Sequence, residues 1–592
     1  MGKKINVLGI HDGHNATVAM IQEGQTRYCA SEERFSGRKN EIGFPILAMQ
    51  AGLREIGLDP SMLDAVAFSS IHIPPYWLKT KRETLFTIDD YLKEQREYWY
   101  PLLFEGRENL EYRQTVIDNP RFHEPSYYDF KDYPMITSKE EDIKNVTSIR
   151  QEAIRRSLGI DLPIATYDHH LCHAHYAYFA SPFRKEPCLV FTADGGGDGC
   201  NGTVWIAEHD TLREIRRNNC SDLARIYRYI TLHLGMKMGE HEYKVMGLAP
   251  YAPEHEIKRC RAVFDTLFKI EDGMIVYRNK PRDLYYHFRE ALEGRRFDAI
   301  AAAAQAMVEE VGSQWVESQV RSTGIGRVVF SGGLSMNVKL NKRISELPGV
   351  REFFCAASGG DESLALGAAY AEAAVRKAPA GDFVDSLRGV TEARDAALEV
   401  LSSMKNVDLE VNAGNKRIAQ LLAQGKVVGR VEGPMEFGAR ALGNRSLLAH
   451  PSFPGIREKI NHQIKGRDFW MPFAPTVLDS HAERYLLRSK GCHAEHMTMA
   501  LDTTELGRKD LDAAVHAADH TARAHILRRE LNPDYYDLIE SFAQITGIGG
   551  ILNTSFNLHG LPIVRGAKEA RHVFENSRLD AMVVAGVLVI RK

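Results

Sequence analysis

The sequence predicts an α/β protein with a duplicated N-terminal part, a helical insertion and a second α/β unit towards the C-terminus. Two strand, glycine-turn, strand patterns stand at INVLGIHDGHNATVAMI and PCLVFTADGGGDGCNGTVWIA. Between them, from PPYWLKTKRETLF onward, the chain turns aromatic and charged with helical spacing. A helix-breaking stretch, VRKAPAGDFVDS, then precedes a new apolar-periodic region. At 592 residues the chain exceeds one hydrophobic core, since single cores stop growing at roughly 250–300 residues.

Each element has a local reason. In the first pattern β-branched residues make INVLGI a strand, HDGHN a polar turn and ATVAMI the returning strand, followed by SEERFSGRKNEIGFP. Residues about 74–153 form the expected insertion, whose aromatic content suits a subdomain that lines or covers a binding pocket. The second pattern repeats the first, as in an internal duplication facing one ligand. RRFDAIAAAAQAMVEEVGSQWVESQV is a helix, with Asp298 placed to cap it and alanines that allow close packing. RVVFSGGLSMN is a strand ending on glycines. With Pro379 in the linker, the expected domains are 1–378 and 379–592.

Composition narrows the partners. The chain has 75 basic and 78 acidic residues, a net charge of -3, which gives no broad attraction to nucleic acid or an anionic membrane. Eight cysteines without a C-x-x-C pair suggest neither a zinc ribbon nor a secreted disulfide framework, so the expected setting is the cytoplasm. The longest apolar run, AMVVAGVLVI, is far shorter than a membrane span, and MGKKINVLGIHDG lacks a cleavage site. A small-molecule partner is expected, with neither nucleic acid nor membrane, and a homodimer is compatible.

Several stretches could carry chemistry. In HHLCHAHYA, His169 and His173 share a helix face and could bind one metal, while Asp168 could equally make the stretch a capped helix start. DGGGDG offers Gly195 and Gly196 backbone N–H groups to phosphate, with aspartates for Mg²⁺ through water, or is an ordinary hairpin. SGGLSMN places Gly332, Gly333 and Asn337 for close approach to an adenine or ribose, or is a strand-ending turn. Asp361, after a double glycine, is either a helix cap or a third ligand for the histidine pair. Near the C-terminus, Arg440, Arg445, Lys465, Arg467, Arg523, Asn553 and Ser555 suit a small dianion, with solvated salt bridges as the alternative.

Taken in order, HDGHNA, SEERFSGRKN, HHLCHA, DGGGDG, GEHEYKVMGLAPY, SGGLSMN, GGDESLALGAA, GARALGNRS, IKGRDFWMPFAP, TAR and NTSFN closely resemble the NodU/CmcH family of O-carbamoyltransferases, tobramycin-type enzymes among them. The resemblance implies an actin/hexokinase/heat-shock ATPase-like N-terminal domain and a YrdC-like C-terminal domain. It places metal ligands on His169, His173 and Asp361, with Fe²⁺ expected first and Zn²⁺ as alternative. It places nucleotide-binding loops on Gly195, Gly196, Gly332, Gly333 and Asn337, with Lys39 near the phosphates. A carbamoyl phosphate pocket falls on Arg440, Arg445, Lys465, Arg467, Arg523, Asn553 and Ser555.

The implied reaction uses ATP with Mg²⁺ and carbamoyl phosphate to make carbamoyl adenylate, then carbamoylates a hydroxyl of a small acceptor, as in antibiotic biosynthesis. His11 of the HD motif, beside Asp12, is the implied base, and His14 competes for that role. One departure is Met471, where many relatives carry an arginine; Arg467 or Arg445 is expected to compensate. The alternatives are a tRNA threonylcarbamoylation-type enzyme, disfavoured by the near-neutral charge, and a non-enzymatic ATP-binding module.

Overall fold

The computed structural model describes residues 3–107, 112, 119–122, 126–130, 133, 138–383, 385–489 and 491–592. The fold is mixed α/β, and the chain divides into two compact units. The first comprises Met1–Ser36, Asn40–Arg351 and Gly359–Phe383; the second comprises Gly37–Lys39, Glu352–Ser358 and Val384–Lys592.

In the first unit, β1 (Val7–His11), β2 (Thr17–Gln22), β3 (Gln25–Ser31), β4 (Ala65–Ser69) and β5 (Ile164–Tyr167) form a sheet of order β3-β2-β1-β4-β5. The first three strands are an antiparallel meander, and β4 and β5 run parallel to β1. A second sheet repeats the plan. β6 (Cys188–Gly197), β7 (Cys200–Glu208) and β8 (Thr211–Asn218) are antiparallel, and β9 (Arg327–Ser331) lies parallel to β6. The run β8-β7-β6-β9 matches β3-β2-β1-β4, so the duplication expected from two hairpins is present as a repeated topology.

The insertion contributes α1 (Lys139–Leu158), opened by a capping box between Ser138 and Glu141. Phe86, Tyr91, Tyr112 and Phe122 pack with Leu232, Met238, Tyr285 and Tyr286, so many of its aromatic rings form a local core. Arg150 on α1 is fully buried and pairs with Asp12 at 2.6 Å, tying the insertion to the end of β1.

Two helices occupy the middle of the unit. α2 (His169–Ala180) packs on β6 and β9, and the small-residue helix that follows Asp361 packs on β1, β2 and β4. Between α2 and that helix lie α3 (Leu223–His233), α4 (Phe297–Thr323) and α5 (Val338–Ser345) in sequence; the small-residue helix is α6 (Leu364–Val375). The helix cap expected at Asp298 falls elsewhere. Arg296 occupies the N-cap of α4, and Asp298 sits within the first turn, accepting Ala299 N at 2.9 Å. An acidic residue is favoured there by the helix dipole, without being the cap.

α6 reads LALGAAYAEAAV, and its small residues let α2 come close. A Cβ on Gly367 would stand 1.9 Å from the carbonyl oxygen of Cys172.

The second unit is built on an eight-stranded sheet. In chain order its strands are β10 (Val407–Val411), β11 (Val428–Val431), β12 (Arg445–Ala449), β13 (Ala474–Leu478), β14 (His525–Leu527), β15 (Gly550–Ser555), β16 (Ala581–Val584) and β17 (Val587–Arg591). They are arranged β10-β17-β16-β11-β12-β15-β13-β14. The apolar AMVVAGVLVI is the β16–β17 hairpin, turning at Ala585 and Gly586 with φ of 48° and 78°. Among the described residues no helix is long and apolar enough to cross a membrane.

Gly367→Ala is expected to force α2 and α6 apart and to cost about 1–3 kcal/mol, as overpacking does. A lowered midpoint for the first unit in thermal unfolding checks this.

Candidate active site

Asp168 caps α2, its carboxylate accepting Leu171 N at 2.9 Å. The same turn also builds a polar cluster. The rings of His169 and His173 lie one turn apart, with centroids 4.8 Å from each other. His169 Nδ1 lies 3.1 Å from Ser70 Oγ, and His173 Nδ1 lies 3.4 Å from Ser331 Oγ and 3.3 Å from Ser363 Oγ. These contacts turn both Nε2 atoms towards Asp361 Oδ1, at 3.7 and 3.6 Å.

Both Nε2 atoms are buried without a hydrogen-bond partner. Asp194, near the end of β6, brings Oδ2 to 3.5 Å from His173 Nε2. One ligand atom from each of the four residues can be chosen so that all lie within 4.8 Å of one another. Ligands about 2.0–2.2 Å from a common ion stand roughly 3–4 Å apart, so a small contraction completes a site. Two imidazoles and carboxylates fit a divalent transition metal. Three of these residues were expected to share one metal, and Asp194 was expected in the glycine loop as a carboxylate able to hold Mg²⁺ through water.

The electrostatics couple the histidines to the carboxylates. Burial opposes protonation of His173, yet the Asp194 and Asp361 carboxylates raise its pKa to about 9. Against their own burial, Asp194 and Asp361 are held below the usual carboxylate range by the histidines.

The other histidines of the motif are structural. His170 sits 2.7 Å from Thr192 Oγ1 and 3.1 Å from the carbonyl of Cys200, and burial first, then His169 and His173, lower its pKa to about 3. His175 bonds the Leu171 carbonyl at 3.0 Å, and burial lowers its pKa to about 4.

The glycine loops serve the same cluster. A Cβ on Gly197 would lie 2.2 Å from the His169 ring, and one on Gly332 would lie 2.2 Å from the Ala193 carbonyl. Gly333 N donates to Asp194 Oδ2 at 2.6 Å, and Gly195 N donates to Oδ1 of the same carboxylate. Gly196, at φ 137°, continues this turn. Asn337, expected at the nucleotide, accepts Leu340 N at 3.0 Å as the cap of α5 and exchanges two amide bonds with Gln305. Its side chain is committed to structure.

His11 is buried, with Nε2 3.1 Å from the His14 carbonyl and Nδ1 2.8 Å from Ser69 Oγ. A carbonyl only accepts, so Nε2–H donates and Nδ1 takes the Ser69 hydroxyl proton. Both nitrogens are thereby occupied, and burial lowers the pKa to about 4 in spite of Asp361 and Asp12. Asp12 is also committed: Arg150 Nη2 and Nε reach its two oxygens at 2.6 and 2.8 Å, and Tyr128 donates at 2.6 Å. By contrast, His14 Nδ1 is buried with no partner.

In the second unit the anion candidates separate into two groups. Lys465 is buried, and its ammonium donates to Ser555 Oγ at 3.1 Å, to the Ser555 carbonyl and to Asn557 Oδ1. Burial, Arg467 and Lys39 push its pKa well below the usual lysine value. Lys39, expected beside the nucleotide loops, therefore stands with this group. Asn557 went unnamed in the sequence reading, although it ends the NTSFN motif.

Asn553 on β15 donates to the Ala441 carbonyl and Thr476 Oγ1 at 3.1 and 3.0 Å, and its buried Oδ1 has no partner. Arg440 lies in the loop just before Ala441, and Arg523 follows the Leu501–Ala522 bridge.

Arg445 and Arg467 are held differently. Arg445 is fully buried and donates to the carbonyls of Arg565, Glu432, Gly433, Asn444 and Val390. The expected phosphate contact is replaced by the pinning of four backbone segments. Arg467 donates to the Met471 and Pro472 carbonyls at 2.8 Å and lies 4.2 Å over the Phe473 ring.

The "Carbamoyltransferase N-terminus" family model matches residues 6–370, and "Carbamoyltransferase C-terminus" matches residues 419–591. The chain belongs to the carbamoyltransferase family. It is a transferase of the NodU/CmcH type. This carbamoyltransferase is 32% identical to protein MJ1058 of Methanocaldococcus jannaschii over 461 residues, 72% of this chain and 74% of the relative. It is 30% identical to nodulation protein NolO of Bradyrhizobium diazoefficiens over 439 residues, 72% of this chain and 79% of the relative. To the 3'-hydroxymethylcephem-O-carbamoyltransferase of Streptomyces clavuligerus it is 26% identical over 292 residues, 48% of this chain and 52% of the relative.

Two outcomes follow for this carbamoyltransferase. Asp194→Asn is expected to lower bound divalent metal at least tenfold by elemental analysis, as removing a ligand does. The Asp12–Arg150 pair is expected to stabilise the fold fully above the ordinary carboxylate pKa of about 3.9 and to be lost as pH falls through the lower folded value of Asp12. Acid unfolding followed by circular dichroism should show a shallower acid limb in Asp12→Asn than in the parent.

Proposed function

We propose that this enzyme moves a carbamoyl group from carbamoyl phosphate, by way of carbamoyl adenylate made with ATP, to a hydroxyl of a small acceptor. The observation that carries it is the buried Lys465 ammonium beside Ser555 and Asn557, in the field of Arg467 and Lys39. A buried cation repelled by two others is stabilised by an anion such as a phosphate or carbamate.

In this reading the second unit makes the intermediate. Water splits carbamoyl phosphate into carbamate and phosphate; a carbamate oxygen then attacks the α-phosphorus of ATP with Mg²⁺, and pyrophosphate leaves. The loops of glycines 195, 196, 332 and 333 in the first unit let the nucleotide portion approach the backbone closely, while the N–H groups of Gly195 and Gly333 stay with Asp194. The acceptor oxygen attacks the carbamoyl carbon, AMP departs, and the hydroxyl proton passes to a histidine.

His14 Nδ1, buried and without a partner, supports His14 over His11 for that proton. A divalent ion on His169, His173, Asp194 and Asp361, Fe²⁺ first and Zn²⁺ second, would supply Lewis-acid polarisation when bound. The near-neutral charge supports a small hydroxylated acceptor of secondary metabolism, including antibiotic precursors, over a nucleic acid. Eight free cysteines suit a reducing cytoplasm.

Lys465→Ala is expected to lower pyrophosphate release from ATP and carbamoyl phosphate by about 100-fold or more, the scale of losing a key charge contact. His173→Ala is expected to keep that release while losing metal and carbamoyl transfer. Full turnover by either variant contradicts the reading.

A further inference from the structure

The two aspartates of DGGGDG part company in the fold. Asp194 joins the histidine cluster, whereas Asp198, between β6 and β7, faces the turn that follows β4. Its carboxylate accepts three backbone N–H groups: Ile71 N at 2.9 Å and His169 N at 2.8 Å on Oδ2, and His72 N at 2.7 Å on Oδ1. A carboxylate offers roughly four acceptor positions, so most of this one is spent on backbone. His169 opens α2, and an N–H in the first turn of a helix has no partner within that helix. Asp198 supplies the partner and ties it to the 70–72 turn.

Ser70 stands at the head of this turn with φ 63°, a left-handed conformation that serine rarely adopts. Two holds keep it there. Asp198 takes the N–H groups of the next two residues, and Arg150 donates to the Ser70 carbonyl at 2.9 Å and to the Ser69 carbonyl at 3.3 Å. Residues fixed from both sides in a sparsely populated conformation are found where a side chain must be aimed. Here the conformation carries Ser70 Oγ to 3.1 Å from His169 Nδ1. The same ring lies against Gly197, where a Cβ would stand 2.2 Å from it.

A metal-bound imidazole needs its second nitrogen held, because that hydrogen bond fixes the tautomer and the direction of the ring. With Nε2 as ligand, Nδ1 carries the proton and a hydroxyl oxygen accepts it. For His173 that place is shared by Ser363 and Ser331, at 3.3 and 3.4 Å. For His169 it falls to Ser70, and Ser70 is held there by Asp198.

Resting on the reading of His169, His173, Asp194 and Asp361 as metal ligands, we propose that Asp198 is a positioning residue of that site. It pins the 70–72 turn to the start of α2, so that Ser70 meets His169 Nδ1 and Nε2 is aimed at the ion. The DGGGDG loop then serves the site twice, through a ligand in Asp194 and through a clamp in Asp198.

The full-length enzyme is stripped with a chelator and titrated with Co²⁺, which takes nitrogen and carboxylate ligands. Its visible ligand-field band is recorded, and its Kd is measured by competition with a chelating dye. Asp198→Asn suits the test, because asparagine tolerates the φ of 51° at this position while an N–H₂ group replaces one accepting oxygen. Asp198→Asn and Ser70→Ala are each expected to raise the Co²⁺ Kd about tenfold, as loss of an outer partner of a metal ligand does, and to alter the band. Because both act through one ring, adding Ser70→Ala to Asp198→Asn is expected to weaken binding by less than about twofold further.

An unchanged Kd and band in Asp198→Asn overturn this inference, as does a lowered melting temperature with the band unaltered, which marks a purely structural role. Single effects that multiply in full in the double variant also overturn it. Should Asp198→Asn fail to fold, Ser70→Ala, which leaves the backbone bonds in place, is read by the same outcomes. A parent enzyme without a Co²⁺ band, or with a band that His173→Ala leaves untouched, overturns instead the metal reading on which the inference rests.

Discussion

The close approach of α2 to α6 is the contact on which the first unit depends. At Gly367 the α6 backbone meets the Cys172 carbonyl so closely that a methyl group would stand at 1.9 Å. α2 carries His169 and His173, and the turn before α6 carries Asp361, so the separation of the two helices sets the separation of these side chains. β6 adds Asp194 from the sheet on which α2 packs. Each half of the duplicated topology thus contributes to one cluster, which neither half could assemble alone.

Burial then decides what these groups can do. Imidazoles removed from water resist protonation, and carboxylates removed from water resist ionisation unless paired. His170 and His175 follow the first rule and remain neutral pins of the helix. His173 departs from it because two carboxylates, Asp194 and Asp361, face it. Asp12 is kept ionised by Arg150, whose guanidinium also bonds the carbonyls of Ser69 and Ser70 at the end of β4. The same ion pair therefore fastens the insertion and shapes the loop beside His169.

The second unit shows why residue type alone does not identify an anion site. Arg445 and Lys465 are both basic and both buried, but Arg445 donates to five backbone carbonyls while Lys465 meets a hydroxyl, an amide, one carbonyl and two repelling cations. The first arrangement spends its N–H groups on backbone carbonyls; the second sets like charges beside one another, which a negative charge would relieve. Asn553 lies between these cases, with its N–H groups used and its carbonyl oxygen unpartnered.

Much of the architecture was legible in the sequence because strand patterning and glycine turns are local. The two hairpins, the glycine-ended strands, the capped start of α2 and the i, i+4 histidine pair all depend on residues within a turn or two of each other. The ordered motifs also announced the family. What the sequence did not disclose is how polar side chains are used, since that depends on partners far along the chain. Asp194 joined the cluster of His169, His173 and Asp361 because β6 ends beside α2; Asn337 was drawn to Gln305 and Arg445 to distant carbonyls; Lys39 fell with Lys465. The sequence alone determined which elements form and which residue types are available for metal and anion chemistry. Only the tertiary structure decided which of those residues keep an unsatisfied atom, because burial leaves each polar group to whatever partner the fold brings within reach.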